Sequence, residues 1–449
     1  MRFSRRTDLP AAFTLALALS GCGVHGAGTA LPPGVQAAAR RPATSPIQHI
    51  VIVIQENRSF DNLFARFPGA DGATEGKNYN GETIKLVAHG LESHLVLNNE
   101  HAAWKTDYDG GKMDGFGLVY VNGRRCTCAY QYVRKKDIVP YWDLASQYVL
   151  ADHLFQTQSS GSFTAHQDLI RGDTAINDHQ SLIDFPTDGP WGCDAPPSTV
   201  TSLLDDTGKY LRNKGPFPCL TYATLRDLLD AKGVTWKFYT PSLTNHAGHL
   251  WDAFDAIHAV RYGNEWHANV ISPETRIFKD IANHKLPNVS WVIPDGQNSD
   301  HSGIGPFGFN KDTGPSWVAQ VVNAVGGSEY WQSSAIIVVW DDWGGWYDHE
   351  APPQLDYEGL GFRVPMIVVS PYAASGVVSH TQYEFGSILR FVEDTFDLGR
   401  LGTTDVRATS IGDVFNYRQR PRRFTHIRAN YSKSYFERQK PSNLPVDNS

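Results

Sequence analysis

Three unbroken apolar runs anchor the reading of this chain: residues 50–54 (IVIVI), 335–340 (AIIVVW) and 366–369 (MIVV). Runs of this length, rich in β-branched residues and without polar alternation, predict strands buried on both faces. Residues 149–155, 234–239 and 289–293 read as further strands. Between them lie segments of helical period at 139–148, 163–171, 222–231, 273–284, 316–325 and 381–396. The segment at 222–231 puts Leu225, Leu228 and Leu229 on one face, with Gly233 to close it. Strands and helices therefore alternate, which predicts an α/β fold, a mostly parallel sheet with helices on both faces.

Two stretches break the pattern. Residues 65–135 read as irregular. Residues 174–220 are rich in Pro and Gly and read as a loop insertion, a lid or rim. Its Phe185, Trp191 and Phe217 offer an apolar, proline-stiffened wall. From residue 418 onward the chain turns basic and polar and reads as a peripheral tail, 418–449.

Length changes this picture little: 449 residues allow two or three domains, but α/β enzymes often use that length for one. Hydrophobic residues at 41% support a large core. A net charge of −7 implies no polyanion-binding surface, so nucleic acid is not an expected partner. The N-terminus changes the picture more. Arg2, Arg5 and Arg6 precede a short apolar stretch and then Leu19-Ser20-Gly21-Cys22, which resembles the lipobox of bacterial lipoproteins. The expected organisation is a signal peptide at 1–21, lipidation at Cys22, a flexible tether at 22–46 and a catalytic domain at 47–417. The expected location is the periplasm or cell surface, anchored to the membrane. An exported chain keeps Cys126, Cys128, Cys193 and Cys219, and a Cys193–Cys219 bridge is expected. The tight spacing of Cys126 and Cys128 argues against their mutual bridging.

The candidate chemistry sits at strand ends. Glu56 and Asn57 follow the first run, and Asp341 and Asp342 follow the second. Side chains there occupy the ligand-binding edge of an open α/β sheet. Adjacent carboxylates repel unless a cation lies between them, and an all-oxygen set suits Mg, Ca or Mn. Ser162 follows Gly161 where a strand gives way to a helix, a place for a nucleophile, with Ser159 and Ser160 as alternatives.

Two strings, ENRSFDNLF from Glu56 and DDWGGWYDH from Asp341, resemble motifs of a bacterial phosphoesterase family that holds phospholipases C and an acid phosphatase. The resemblance covers residues 47–401 and implies an alkaline-phosphatase-like core. It implies one divalent metal held by Glu56, Asn57, Asp341, Asp342 and the nucleophile Ser162. His101, Asp114 and His301 are the implied acid and phosphate-binding groups. Asp348 and His349 read as a supporting layer that orients Asp341 and Asp342, while His246 and His249 are left unplaced. Two departures stand out: the family often has Glu where Asp342 stands, and Gly161 directly precedes Ser162 without the usual Pro. Larger family members carry C-terminal domains that this chain is expected to lack. The implied function is phospholipase C-type hydrolysis of phosphate esters, with an acid phosphatase acting on monoesters as the alternative. A non-catalytic lipoprotein that binds a phosphorylated ligand is the reading from outside the enzymes.

Overall fold

The computed structural model describes residues 45–303 and 313–442. The signal peptide, Cys22 and nearly all of the tether lie outside the described residues, as do residues 443–449 of the tail.

Its centre is an eight-stranded sheet, ordered Val270–Ile271, Trp236–Tyr239, Val289–Val292, His49–Gln55, Ser334–Trp340, Met366–Val369, Val149–Ala151 and Val377–Ser379. Every pairing is parallel except the two made by Met366–Val369. The mostly parallel sheet is therefore observed, with one reversed strand. The two longest apolar runs became the two central strands, and Ile50 through Ile54 are at most 1% exposed. Their register runs from His49 opposite Ser334 to Gln55 opposite Trp340. That register matters for function: both strands end level, so Glu56 and Asp341 leave the sheet side by side.

Helices Ser162–Arg171, Leu225–Lys232 and Phe385–Phe396 pack as one group, and Val139–Gln147, Arg276–Ala282 and Thr313–Gly326 as another. Trp291, on a central strand, donates its indole N–H to Leu169 O at 3.1 Å and fastens the Ser162 helix to the sheet.

Several sequence boundaries shift for local reasons. The helix expected from residue 222 begins at Leu225, because Thr224 and Asp227 cap it reciprocally. The helix expected from 381 begins at Phe385, behind the Glu384–Ser387 capping box. The strand expected over 149–155 stops at Ala151, and only isolated bridges at Leu154 and Phe155 continue it. Residues 65–135 are not irregular throughout: helix His101–Tyr108 and short strand pairs lie there.

The 174–220 insertion is a four-stranded antiparallel sheet of Tyr210–Leu211, Ser202–Asp205, Gln180–Ile183 and Ala175–Asn177. Its Leu182, Leu203 and Trp191 join the main core. The strands are two to four residues long, too short for a period-2 signal to stand out among turn residues. Cys193 and Cys219 are bonded, with Cα atoms 4.4 Å apart. Cys126 and Cys128 are also bonded, against the expectation from spacing; a bend at Thr127 sets their Cα atoms 5.2 Å apart. The stretch after Arg418 is more than a peripheral tail. Ile427 and Phe436 are buried, Phe436 packs edge-on against Trp317, and Asn323 exchanges two hydrogen bonds with the Ile427 backbone.

Candidate active site

The level ends of the two central strands set the first contacts. Asn57 donates its backbone N–H to Asp341 Oδ1 at 2.9 Å, and Asn57 itself sits at φ 54°. The following glycines turn the second strand's loop back over the first. Gly344 has φ 62°, and a Cβ there would lie 2.3 Å from Asn57 O, so only glycine allows the approach. The Asn57 side-chain amide reaches Ser162 Oγ at 3.3 Å and Asp342 Oδ2 at 3.2 Å.

Ser162 is the first residue of its helix, with Gly161 as the N-cap. Its hydroxyl donates to Asp342 Oδ2 at 3.0 Å. The other two serines are engaged elsewhere: Ser159 Oγ meets His101 Nδ1 at 2.9 Å, and Ser160 accepts the Asp184 N–H at 2.7 Å. Asp342 also accepts both its oxygens' bonds from Asn99 Nδ2, at 3.0 and 2.9 Å, and the Gly344 N–H at 2.6 Å.

Two residues of this constellation were not singled out from sequence. Asn99 carries no local signal. His166 does: it stands four residues after Ser162 on one helix, hence on the same face. Its Nε2 lies 2.9 Å from Glu56 Oε1 and 3.7 Å from Asp341 Oδ2. Glu56, His166 and Asp341 offer three ligand atoms within 4.8 Å of one another.

The electrostatics of this cluster ask for a cation. Glu56, Asp341 and Asp342 are all fully buried. Burial first, and then the charge of Asp341, push the Glu56 and Asp342 carboxyls well above their usual range. Burial lowers the His166 imidazole to about 4, so it is neutral at pH 7. Glu56 Oε2, Asn57 Oδ1 and Asp341 Oδ2 are buried without a hydrogen-bond partner. Orphaned oxygens among like charges cost free energy unless something positive binds them. The donor set thus fits a divalent metal, with one imidazole beside the oxygens that the sequence had suggested.

The remaining sequence candidates are held by contacts of their own. His101 opens its helix and is held by Ser159 O and Oγ, while its backbone N–H binds Asp184 at 2.6 Å. Asp114 is half-buried beside Asp109 and Lys112. His301 is buried and stacks on Trp251 with centroids 6.0 Å apart. His246 and His249 face each other at 6.1 Å on helix His246–Trp251.

Asp348 and His349 need a correction. They do not orient Asp341 and Asp342. Asp348 pairs with Arg363 Nε at 2.8 Å and accepts the Asp61 N–H at 3.1 Å, and His349 Nδ1 meets Asp61 Oδ2 at 2.7 Å. The glycine turn at Gly344 and Gly345 carries the chain out of the first cluster before it reaches them.

The profile of the phosphoesterase family matches residues 47–399. A non-hemolytic phospholipase C of Pseudomonas aeruginosa is 26% identical, across 89% of this chain and 62% of that relative. A hemolytic phospholipase C of the same organism is 24% identical, across 82% of this chain and 55% of that relative. This chain thus spans less than two thirds of either Pseudomonas protein. Phospholipase C B of Mycobacterium tuberculosis is 24% identical, across 84% of this chain and 78% of its own. Among solved structures, a protein in the alkaline phosphatase superfamily from Vibrio parahaemolyticus covers 83% of this chain at 10% identity, with a TM-score of 0.39, too low to carry an argument. No helix among the described residues is long and apolar enough to cross a membrane.

Proposed function

This chain belongs to the phosphoesterase family, and on that premise we propose that it is a metal-dependent hydrolase of phosphate esters with Ser162 as nucleophile, acting in the manner of a phospholipase C. One observation carries the proposal: Ser162 Oγ donates to Asp342 at 3.0 Å within a buried set of carboxylates whose spare oxygens have no partner.

The roles follow from position. Asp342 Oδ2 already accepts the Ser162 hydroxyl hydrogen, so it is the group to hold that proton as Oγ attacks phosphorus. Asn57 and Asn99 fix Asp342 and Ser162 in place. Glu56, Asn57, Asp341, Asp342 and Ser162 would hold one divalent ion, with His166 as a sixth donor or as the partner that orients Glu56. Such an ion supplies positive charge for the nucleophile and for the phosphoryl oxygens. The opening amides of the Ser162 helix favour the same anion. A histidine, His101 or His301, protonates the leaving oxygen, with Asp114 in support. The alcohol departs, Ser162 carries the phosphoryl group, and water then frees it. With a phospholipid, the alcohol is diacylglycerol and the freed group is the phosphorylated headgroup.

The names of the relatives favour the phospholipid reading. Lipidation at Cys22 after export, also proposed, would keep the enzyme beside its substrate. The Asp341–Asp342 pair favours a second reading, an acid phosphatase acting on monoesters. The test compares kcat/KM for phosphatidylcholine with that for a soluble aryl phosphate. A tenfold or greater preference for the aryl monoester, about 1.4 kcal/mol in transition-state stabilisation, would reject the phospholipase reading.

A further inference from the structure

A second cluster of ligating side chains lies at one end of the sheet order, where strand Val149–Ala151 meets strand Val377–Ser379. Asp152 follows the first strand and His380 follows the second, and the two strands run parallel with Ser379 opposite Ala151. The pairing therefore brings two chain exits together, as it does for Glu56 and Asp341. Asp152 is fully buried. Its Oδ2 meets His380 Nδ1 at 2.8 Å, and its Oδ1 faces His153 Nδ1 at 3.3 Å. Asp152, His153 and His380 offer three ligand atoms within 4.8 Å of one another.

Two further observations point to a ligand. First, Asp152 Oδ1 is buried and accepts no hydrogen bond, although it is aimed at a ring nitrogen. His153 stands between two carboxylates: Nδ1 toward Asp152, and Nε2 toward Asp71 Oδ2 at 3.2 Å. Second, Asp71 is placed as a metal site's supporting carboxylate would be. A ligating histidine commonly donates its far N–H to such a group, which fixes the tautomer and leaves the near nitrogen bare for the ion. Asp71 is itself held: its N–H donates to Asp152 Oδ2 at 2.8 Å, and Arg363 Nη1 donates to its carbonyl at 2.8 Å.

We propose that Asp152, His153 and His380 form a second metal site, one that takes a zinc-type divalent transition ion, with Asp71 orienting His153. Two imidazoles and one carboxylate are a nitrogen-rich set suited to zinc or cobalt rather than to magnesium or calcium. The His380 side chain is 58% exposed, so the ion has a route in and water can complete its shell. None of these residues belongs to the proposed catalytic set, and the ion ties the loop at Asp71 to the ends of two strands.

The test is metal stoichiometry and cobalt absorption on the full chain. Wild type, His380→Ala, His153→Ala/His380→Ala and Asp341→Asn are each loaded with Zn²⁺, desalted and analysed for metal. The expected result is one equivalent missing from both histidine variants and still present in Asp341→Asn. Asp71→Asn is expected to weaken that equivalent by roughly 10- to 100-fold. Cobalt bound there should give visible bands that the His380→Ala protein lacks. His380→Ala, at an exposed position, decides the matter if the double variant does not fold. Equal zinc in wild type and His380→Ala, with identical cobalt spectra, overturns the proposal. Survival of this equivalent in Asp341→Asn keeps its fate separate from that of the catalytic reading.

Discussion

Two buried carboxylate groups leave the same pair of chain segments, and they solve the same electrostatic problem differently. The first holds Glu56, Asp341 and Asp342; the second holds Asp61 and Asp348, five and seven residues further along. In the second, Arg363 is buried with them and bonds Asp348 through Nε and Nη2, and His349 bonds Asp61. The cation is part of the chain, and Asp61 and Asp348 have their oxygens bonded. In the first, no Lys or Arg contacts the carboxylates among the described residues, the one imidazole is neutral, and one oxygen each of Glu56 and Asp341 is orphaned. A permanent counter-ion makes a brace. Its absence makes a place for an exchangeable cation and for chemistry.

The sharpest way to test this contrast is to disable the first group. Ser162→Ala should cost at least about 10³-fold in kcat with folding unchanged, because a nucleophile acts as part of a unit. Circular dichroism and ester turnover check it. Asp341→Asn and Glu56→Gln should lose bound metal and activity together, read by elemental analysis beside the same assay. Normal metal content in both variants would contradict the ligand assignment.

The second group should fail differently. Arg363→Met strips buried Asp348 of its guanidinium and leaves His349 as the one cation beside Asp61, so it should destabilise the fold by about 3–5 kcal/mol in urea unfolding, and added metal should not restore it. A milder control is the bridge across the insertion, 26 residues apart at Cys193 and Cys219. Its removal should cost roughly 3–4 kcal/mol in the chain-entropy model and leave metal content unchanged.

The smallest effect is a pH dependence. Burial disfavours the His349 imidazolium, but the hydrogen bond and charge of Asp61 outweigh it and raise its pKa to about 9. A raised folded-state pKa gives stability that is complete below the unfolded value of about 6.5 and is lost as pH climbs through 9. Tm should therefore fall between about pH 7 and 9.5, and His349→Gln should flatten that slope. An unchanged slope would remove His349 from the brace.

How much of this was legible in the sequence depends on distance along the chain. The central strands and the residues straight after them were readable, because an unbroken apolar run fixes burial and its end fixes where the next side chain emerges. His166 was readable in principle through its helical spacing from Ser162. The Asp348–His349 contact was not: adjacency to Asp341 suggested a shared site, while Gly344 and Gly345 turn the chain toward Asp61. Arg363 carried no signal, since the Asp61 and Asp71 contacts that bury it join chain segments hundreds of residues away, and nothing local marks its pairing with Asp348. The insertion's short strands were hidden by their turn residues.

The level register of the two central strands has a consequence for how the molecule is made. Asn57 and Asp342 are 285 residues apart in the chain yet 3.2 Å apart in space. During synthesis the segment IVIVI emerges early, with both backbone edges open, and waits for most of the domain before strand Ser334–Trp340 covers one of them. Such an exposed apolar strand is prone to wrong pairing. The half-site it carries is inert for the same interval, so the nascent chain holds its acidic residues apart until the fold that can use them is nearly complete.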